Sequence, residues 1–269
     1  MSPERTRHHR RERVPAAVLA AAGLGALLFL LPLLGLLWRA PWPRVWEELA
    51  APEVLAALRL SVVCSLSATV LSVLLGLPLA WVQARLLFRG RALLRGLTLL
   101  PIVLPPVVGG VALLAAFGRR GLVGQWLDTA FGVRLPFTTP GAVLAETFVA
   151  MPFFVLTAEG AFAGMDRRLE DAARTLGAGP WRVFWRVTLP LVRPSLLAGA
   201  VLCWARALGE FGATITFAGN FPGRTQTVPL AVYLLLESRP EAGVALSLVL
   251  VAVSLLVLVA LRNRWVGAR

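Results

Sequence analysis

Residues 165–193 read MDRRLEDAARTLGAGPWRVFWRVTLPLVR, a patterned segment between two long apolar runs. Apolar or small residues recur there at positions i, i+3, i+4 and i+7, which places them on one helical face: Leu169, Ala172, Ala173 and Leu176. Gly177 then predicts the end of the helix, because glycine enters the left-handed conformation without steric cost. The segment therefore predicts a short amphipathic helix rather than a plain connector.

A second helical segment is predicted to begin at Pro180, since proline is favoured at the first position of a helix. We expect this segment to end at Pro190. Its aromatic face is typical of a helix that lies at the membrane surface with its rings in the headgroup zone. That face consists of Trp181, Phe184, Trp185 and Thr188, whereas Arg182 and Arg186 point elsewhere.

The composition of the whole chain excludes an ordinary soluble protein. Of its 269 residues, 58% are hydrophobic and only 15% are charged, whereas soluble domains carry about 25% charged residues. A membrane helix needs about 20 mostly apolar residues. Six segments meet that length and predict an all-α polytopic membrane protein with six transmembrane helices: 14–37, 60–82, 93–117, 142–163, 195–218 and 243–261.

The placement of the basic residues predicts the orientation of these spans. All 27 are arginines, and the formal net charge is +13. They flank the apolar runs instead of forming one stripe, which argues against a nucleic-acid partner. With both termini in the cytoplasm, 18 arginines lie in inside segments and 7 in outside loops. The positive-inside rule therefore predicts cytoplasmic termini and a cytoplasmic 165–193 loop.

Two predicted spans carry features that a plain lipid-facing helix would lack. Pro101, Pro105 and Pro106 interrupt the third span, and such breaks are tolerated where a cavity or neighbouring helices satisfy the freed carbonyls. A bent helix that lines a pathway and a merely kinked structural helix both fit this pattern. The fifth span carries Arg206 and Glu210, which lie four residues apart and are able to pair on one face.

Charged residues inside a bilayer are expensive, so each one is a candidate for function. The fourth span contributes Glu146 and Glu159. The Arg206–Glu210 pair fits either of two roles, an ion pair that fixes helix packing or part of a passage or gate. Gly212, Thr214 and Thr216 follow it, and neutral hydroxyls of this kind are able to pass an oxyanion along without trapping it. The candidate pathway residues are Arg206, Glu210, Gly212, Thr214 and Thr216.

The loop resembles a known family motif. Glu170-Asp171-Ala172-Ala173, then Gly177, then Leu189-Pro190 is similar to the EAA loop of the permease subunits of ATP-binding-cassette (ABC) importers. In that family the loop is a coupling helix that fits a groove on a cytoplasmic ATPase. The resemblance implies that Glu170 pairs with a basic group of the ATPase, and that Ala172, Ala173 and Gly177 provide a close-fitting surface. The residues implied in coupling are Glu170, Asp171, Ala172, Ala173, Leu176 and Gly177.

The resemblance extends over most of the chain and implies a type I importer permease fold. It implies a core over residues 55–261 containing the loop 165–193, preceded by a basic tail, first helix and external loop (1–54) and followed by a cytoplasmic tail (262–269). Four strings look like the molybdate subgroup: GEFGATITFAGN (209–220), PGRTQT (222–227), GRRG (118–121) and AARTLGAGPWRVF (172–184). This similarity implies transport of molybdate, with tungstate also accepted.

The same resemblance implies the partners of the chain. They are a second copy of itself, two ABC ATPase subunits, an extracytoplasmic molybdate-binding protein and the lipid of a bacterial or archaeal cell (inner) membrane. The 269 residues contain no G-x-x-x-x-G-K-[ST] phosphate loop. We therefore expect no enzymatic activity, no cofactor and no metal site in the chain itself.

Two alternatives remain. A sulfate or thiosulfate permease shares part of the 209–220 pattern but usually diverges in the ITFAGN and RTQT segments. An ion-gradient-driven transporter would use Glu146, Glu210 and Arg206 as a relay and would leave the patterned loop unexplained.

Overall fold

The computed structural model describes the backbone of residues 15–265 and the side chains of residues 15–259. All regular structure in that part of the chain is helical. The basic N-terminal tail and the last four residues lie outside the described range, so the predicted location of the termini is not addressed by it. The helices are α1 (Ala16–Trp38), α2 (Val45–Leu49), α3 (Pro52–Arg85), α4 (Arg91–Val103), α5 (Pro106–Phe117), α6 (Gly124–Phe131), α7 (Thr139–Gly164), α8 (Arg168–Thr175), α9 (Pro180–Val183), α10 (Leu189–Leu208), α11 (Gly212–Ala218), α12 (Val228–Ser238) and α13 (Pro240–Trp265).

Within the described residues, five helices are long and apolar enough to cross a membrane: α1, α3, α7, the continuous helix Pro180–Leu208, and residues Pro240–Val259 of α13. They correspond to five of the six predicted spans. The chain divides into two compact units, Met1–Ala40 and Pro41–Arg269. Helix α1 belongs to the first unit, and the other helices make up the second.

The predicted third span, residues 93–117, is not one helix. Helix α4 ends at Val103 and α5 begins at Pro106, and each half is too short to cross a membrane alone. Leu104 adopts an extended conformation, with φ −68° and ψ 132°. The proline ring disfavours the helical region for the residue before it, and two successive prolines follow Leu104. Pro105 therefore ends α4, and Pro106 opens α5 at a position where its missing N–H costs nothing.

The predicted fifth span is also corrected at both ends. The helix already begins at Pro180 and ends at Leu208, and residues 212–218 form the separate helix α11. The expected stop at Pro190 was wrong. A π-helical turn, Phe184–Thr188, precedes that proline, and the N–H of Leu189 donates to the carbonyl of Phe184 five residues back. This wider turn admits the proline, which would clash with the carbonyl one turn earlier in a regular helix.

The core of the second unit forms where α3, α7 and α10 pack against one another. Small residues let their backbones approach closely. A Cβ on Gly76 would lie 2.9 Å from Cδ1 of Phe154, and one on Gly199 would lie 3.0 Å from Cβ of Thr157. The two cysteines, Cys64 and Cys203, are buried free thiols.

Candidate functional site

The loop helix predicted from the 165–193 pattern is confirmed as α8, Arg168–Thr175. Gly177 has φ +82°, so it adopts the left-handed conformation expected of it. The N–H of Gly177 donates to the carbonyl of Arg174 at 2.9 Å, and the N–H of Ala178 donates to that of Ala173 at 3.0 Å. These two bonds form a Schellman motif, which satisfies carbonyls that a helix end leaves free.

The predicted apolar face of α8 is largely exposed. Leu176 is 88% exposed and Leu169 is 47% exposed, and Ala172 between them is also exposed. An exposed leucine by itself is ordinary, but neighbouring apolar residues on one face of an amphipathic helix are typical of a binding surface. Leu169, Ala172, Ala173 and Leu176 are hereafter called the α8 face.

Glu170 does not project from α8 in the way the family resemblance implied. It is buried, and its carboxylate is already occupied within the chain. Arg85, the last residue of α3, donates from Nη2 to Oε1 of Glu170 at 3.1 Å. The hydroxyl of Thr188, in the π-helical turn, donates to the same oxygen at 2.6 Å. The exposed acidic residue of α8 is instead Asp171, which pairs with Arg174 at 2.9 Å.

The aromatic segment that follows α8 is open on one side. Trp181 and Trp185 are exposed, whereas Thr188, predicted to share their face, is buried. The aromatic rings face an apolar cleft of about 410 Å³, which is lined by Leu77, Pro78, Trp81, Pro180, Trp181, Phe184 and Trp185. Tryptophans of this kind suit the boundary between lipid chains and headgroups.

The predicted pairing of Arg206 with Glu210 is confirmed. Nη1 of Arg206 lies 2.6 Å from Oε2 of Glu210, whose side chain is 1% exposed. The other oxygen of Glu210 accepts from the N–H of Ala213 at 2.9 Å. Glu210 therefore caps the first turn of α11 as well as neutralising the arginine. Glu146 is buried close enough to Glu210 for the two carboxyl groups to interact electrostatically.

The remaining candidate pathway residues lie where α11 crosses α5. A Cβ on Gly212 would lie 2.7 Å from Cβ of Pro106, so the starts of the two helices touch. The hydroxyl of Thr216 donates to the carbonyl of Gly212 at 2.8 Å, which commits its proton to its own helix. Thr214 is fully buried. The Thr214 hydroxyl has no hydrogen-bond partner within the described residues, whereas the Thr216 hydroxyl is already bonded.

Two acidic residues form ion pairs that were not anticipated from the sequence, because their partners lie far away in it or in an unpatterned loop. Glu159 pairs with Arg95 of α4 at 3.3 Å. Asp128 of α6 accepts from Nε of Arg134 at 2.8 Å and from Nε of Arg119 at 3.1 Å. The hydrogen bond from Arg134 is the main cause that lowers the pKa of Asp128; desolvation opposes it, and Arg119 lowers it further.

The lowered pKa of Asp128 predicts an acid-sensitive loop. A carboxyl with a lower pKa in the folded state stabilises the fold above its unfolded pKa, about 3.9, and that contribution is lost as the pH falls through the folded value. Hydrogen-exchange protection of α6, corrected for intrinsic rates, should therefore fall below about pH 4. In Asp128→Asn, protection should be lower at neutral pH and should lack this acid transition. An equal acid transition in the variant would contradict the assignment.

The chain matches known proteins over most of its length. Residues 72–269 match the family described as "Binding-protein-dependent transport system inner membrane component". The chain is 49% identical over 258 residues to the molybdenum transport system permease protein ModB of Mycobacterium bovis, covering 95% of each chain. It is 36% identical over 236 residues to the sulfate transport system permease protein CysT of Escherichia coli, covering 86% of this chain and 85% of the relative.

A solved structure shares the fold. The chain superimposes with a TM-score of 0.74 and 18% identity on a chain of a bacterial ABC transporter that imports the acidic polysaccharide alginate. The match covers 94% of this chain and 95% of the other.

Proposed function

Because the chain belongs to the family of binding-protein-dependent transport system inner membrane components, we propose that it is the subunit through which an ATP-driven importer moves molybdate across the cell membrane. It is a multi-pass ABC importer permease. ATP hydrolysis would be supplied by a separate subunit, since the chain has no phosphate loop of its own.

The observation that carries this proposal is the α8 face. A helix of eight residues is too short to be stable on its own, yet α8 is capped by its Schellman motif and leaves Leu169 and Leu176 uncovered. Small residues between these leucines allow close approach of another backbone, as in a helix seated in a groove. We infer that this groove belongs to the ATPase subunit, and that Asp171 rather than Glu170 supplies the exposed acidic group beside it.

The proposed topology restores the sixth span. Helices α4 and α5 together cover residues 91–117 with one break, and we infer that they cross the membrane as a broken pair. Both termini would then lie in the cytoplasm, together with α8. The excess of arginines in the segments on that side supports this orientation.

Molybdate is favoured over sulfate by the relatives. Identity to the molybdenum permeases ModB is 44–49%, against 36–40% to the sulfate permeases CysT and CysW. Tungstate would also be carried, because the two tetrahedral dianions have nearly the same size and charge. The complex would contain two copies of this chain, two ATPase subunits and an extracytoplasmic binding protein that delivers the dianion.

The transport cycle follows from these placements. Closure of the two ATPase subunits on ATP would draw the two α8 helices together and open the passage outward; hydrolysis would return it to the inward-facing state. Arg206 is the cation that we place beside the passage. Its pairing with Glu210 keeps it from holding a dianion too tightly, because transport requires binding weak enough for release.

Gly177→Val tests the coupling role. Valine at φ +82° is strained by about 1–3 kcal/mol, and it would remove the sharp end of α8. We expect the variant to insert normally and to hydrolyse ATP, while molybdate uptake per ATP falls at least several-fold in proteoliposomes.

Gly179→Val is the matched control. A Cβ at either glycine meets nothing within 4 Å, but Gly179 has φ −68° and ψ 163°, a conformation that valine adopts readily. The control should transport like the natural sequence. Normal uptake by Gly177→Val would contradict the proposed coupling role of the loop.

A second measurement separates the remaining alternatives. Uptake should require the ATPase subunit and ATP, and ATPase stimulation by molybdate and tungstate should exceed that by sulfate. Uptake by the purified chain alone under an ion gradient would instead establish a secondary transporter.

A further inference from the structure

We propose that Glu170 is a positioning residue: with Arg85 and Thr188 it forms an internal joint that makes α8 move together with two spanning helices. This proposal rests on the proposed coupling function and adds the route by which motion leaves α8. The joint is defined here as these three side chains.

Each member of the joint belongs to a different element. Glu170 lies in α8, Arg85 ends α3, and Thr188 ends the π-helical turn that leads into α10. One carboxylate oxygen of Glu170 accepts from Arg85 at 3.1 Å and from Thr188 at 2.6 Å. A single atom therefore links the proposed coupling helix to the end of α3 and to the π-helical turn inside the continuous helix Pro180–Leu208.

The contacts of the joint are energetically important because they are buried. The side chains of Arg85 and Glu170 are 8% and 9% exposed, and Thr188 is 1% exposed. Exposed ion pairs are worth little, whereas removing one partner of a buried pair leaves a charge without compensation. A displacement of α8 away from α3 would separate these charges, so the displacement is resisted and α3 is drawn along.

The two connections share Oε1 of Glu170 but lead to different elements. Helix α8 also packs directly against α9 and the π-helical turn, so the Thr188 bond reinforces an existing contact. The link to α3 is the ion pair with Arg85. A π-helical turn is a common site of local adjustment in a helix, and the Thr188 hydroxyl fixes this one to α8 at its last residue.

Next to the buried joint, α8 carries a second ion pair that is exposed. Asp171 and Arg174 are 64% and 56% exposed and pair within α8 itself. That pair belongs to the surface that we place against the ATPase. Nη2 of Arg174 also lies 4.0 Å from Oε2 of Glu170, so the exposed pair and the joint are adjacent on α8. Substitutions at Thr188 or Arg85 change the joint without replacing a member of the exposed pair.

Thr188→Val is the sharpest test, because valine keeps the shape of threonine and removes only the hydroxyl. In the reconstituted complex of permease, ATPase and binding protein, we expect the ATPase to remain bound and to hydrolyse ATP. Molybdate uptake per ATP hydrolysed should fall about tenfold, the scale of a hydrogen bond to a charged group. Thr188→Ser, which keeps the hydroxyl, should restore the ratio.

Thr147→Val provides the matched control for the substitution. Thr147 is also buried, but its hydroxyl donates to the carbonyl of Val143 in its own helix. The control should leave the ratio of uptake to hydrolysis unchanged. A purely structural role for Thr188 would lower uptake and hydrolysis together and leave their ratio as it is, which would overturn the proposal.

A second measurement on the permease alone covers the case in which Thr188→Val fails to insert. In Glu170→Gln, hydrogen-exchange protection of residues 168–175 should fall while that of α7 is retained. Unchanged protection of α8 would overturn the joint.

Loss of ATPase binding in Glu170→Gln, with retained binding in Thr188→Val and Arg85→Met, would show instead that Glu170 contacts the ATPase. If no ATPase binds the unaltered chain, the proposed function fails, whereas the hydrogen-exchange result still decides the joint.

Discussion

Replacing Gly110 with valine is expected to abolish uptake and to destabilise the permease by about 1–3 kcal/mol or more. A Cβ on Gly110 would lie 2.5 Å from Cβ of Thr216 and 3.0 Å from the carbonyl oxygen of Ala213. Helices α5 and α11 would have to separate. Both are short, so each depends on packing against its neighbours to stay in position. Thermal unfolding in detergent and uptake in proteoliposomes measure the two effects.

The matched control is Gly96→Val in α4. A Cβ on Gly96 meets nothing within 4 Å, and the residue lies inside a helix. The control therefore places the same β-branched residue in a helix as Gly110→Val does, but without the steric clash. The control should unfold within a few degrees of the natural sequence. Equal behaviour of the two variants would mean that the α5–α11 crossing is not tightly packed.

Glu210→Ala is expected to have a comparable or larger effect. It removes the partner of Arg206 and the acceptor for the N–H of Ala213 in one step. Breaking a buried ion pair on one side costs about 3–5 kcal/mol, so little folded permease should be recovered after extraction. Glu237→Ala, at an exposed position of α12, should be recovered in normal yield.

A double variant separates the two roles that the sequence leaves open for this pair. Arg206→Leu combined with Glu210→Gln removes both charges and keeps an acceptor for Ala213. Replacing a whole buried pair is often neutral for stability. If the pair only fixes packing, the double variant should fold and transport; if Arg206 borders the passage, it should fold and fail to transport. We expect the second result.

Much of the fold was predictable because it depends on local patterns. The 3.6-residue period from Leu169 to Leu176 located α8, and the position of Gly177 located its end. Apolar length located the long helices. The i, i+4 spacing of Arg206 and Glu210 was sufficient to predict their ion pair, since on a helix those positions are neighbours.

The errors arose where non-local contacts or backbone chemistry prevailed. Apolar length cannot show that Pro105 divides residues 93–117, because hydropathy does not register a missing N–H. A stop at Pro190 is the ordinary outcome, and the π-helical turn that avoids it has no sequence signature. Arg85 and Glu170 are separated by 85 positions, so no periodicity reveals that the most prominent acidic residue of the motif faces inward.

The break between α4 and α5 has a consequence for two backbone carbonyls. In an unbroken helix, the N–H groups at positions 105 and 106 would bond the carbonyls of Pro101 and Ile102, but both positions are proline and have no N–H. Hydrocarbon cannot supply a replacement donor. Ile102 and Val103 are 41% and 82% exposed in the single chain. This point therefore lies at the surface of the single chain, and the two carbonyls need a donor from outside their own helix, either a group of a neighbouring helix or a water molecule.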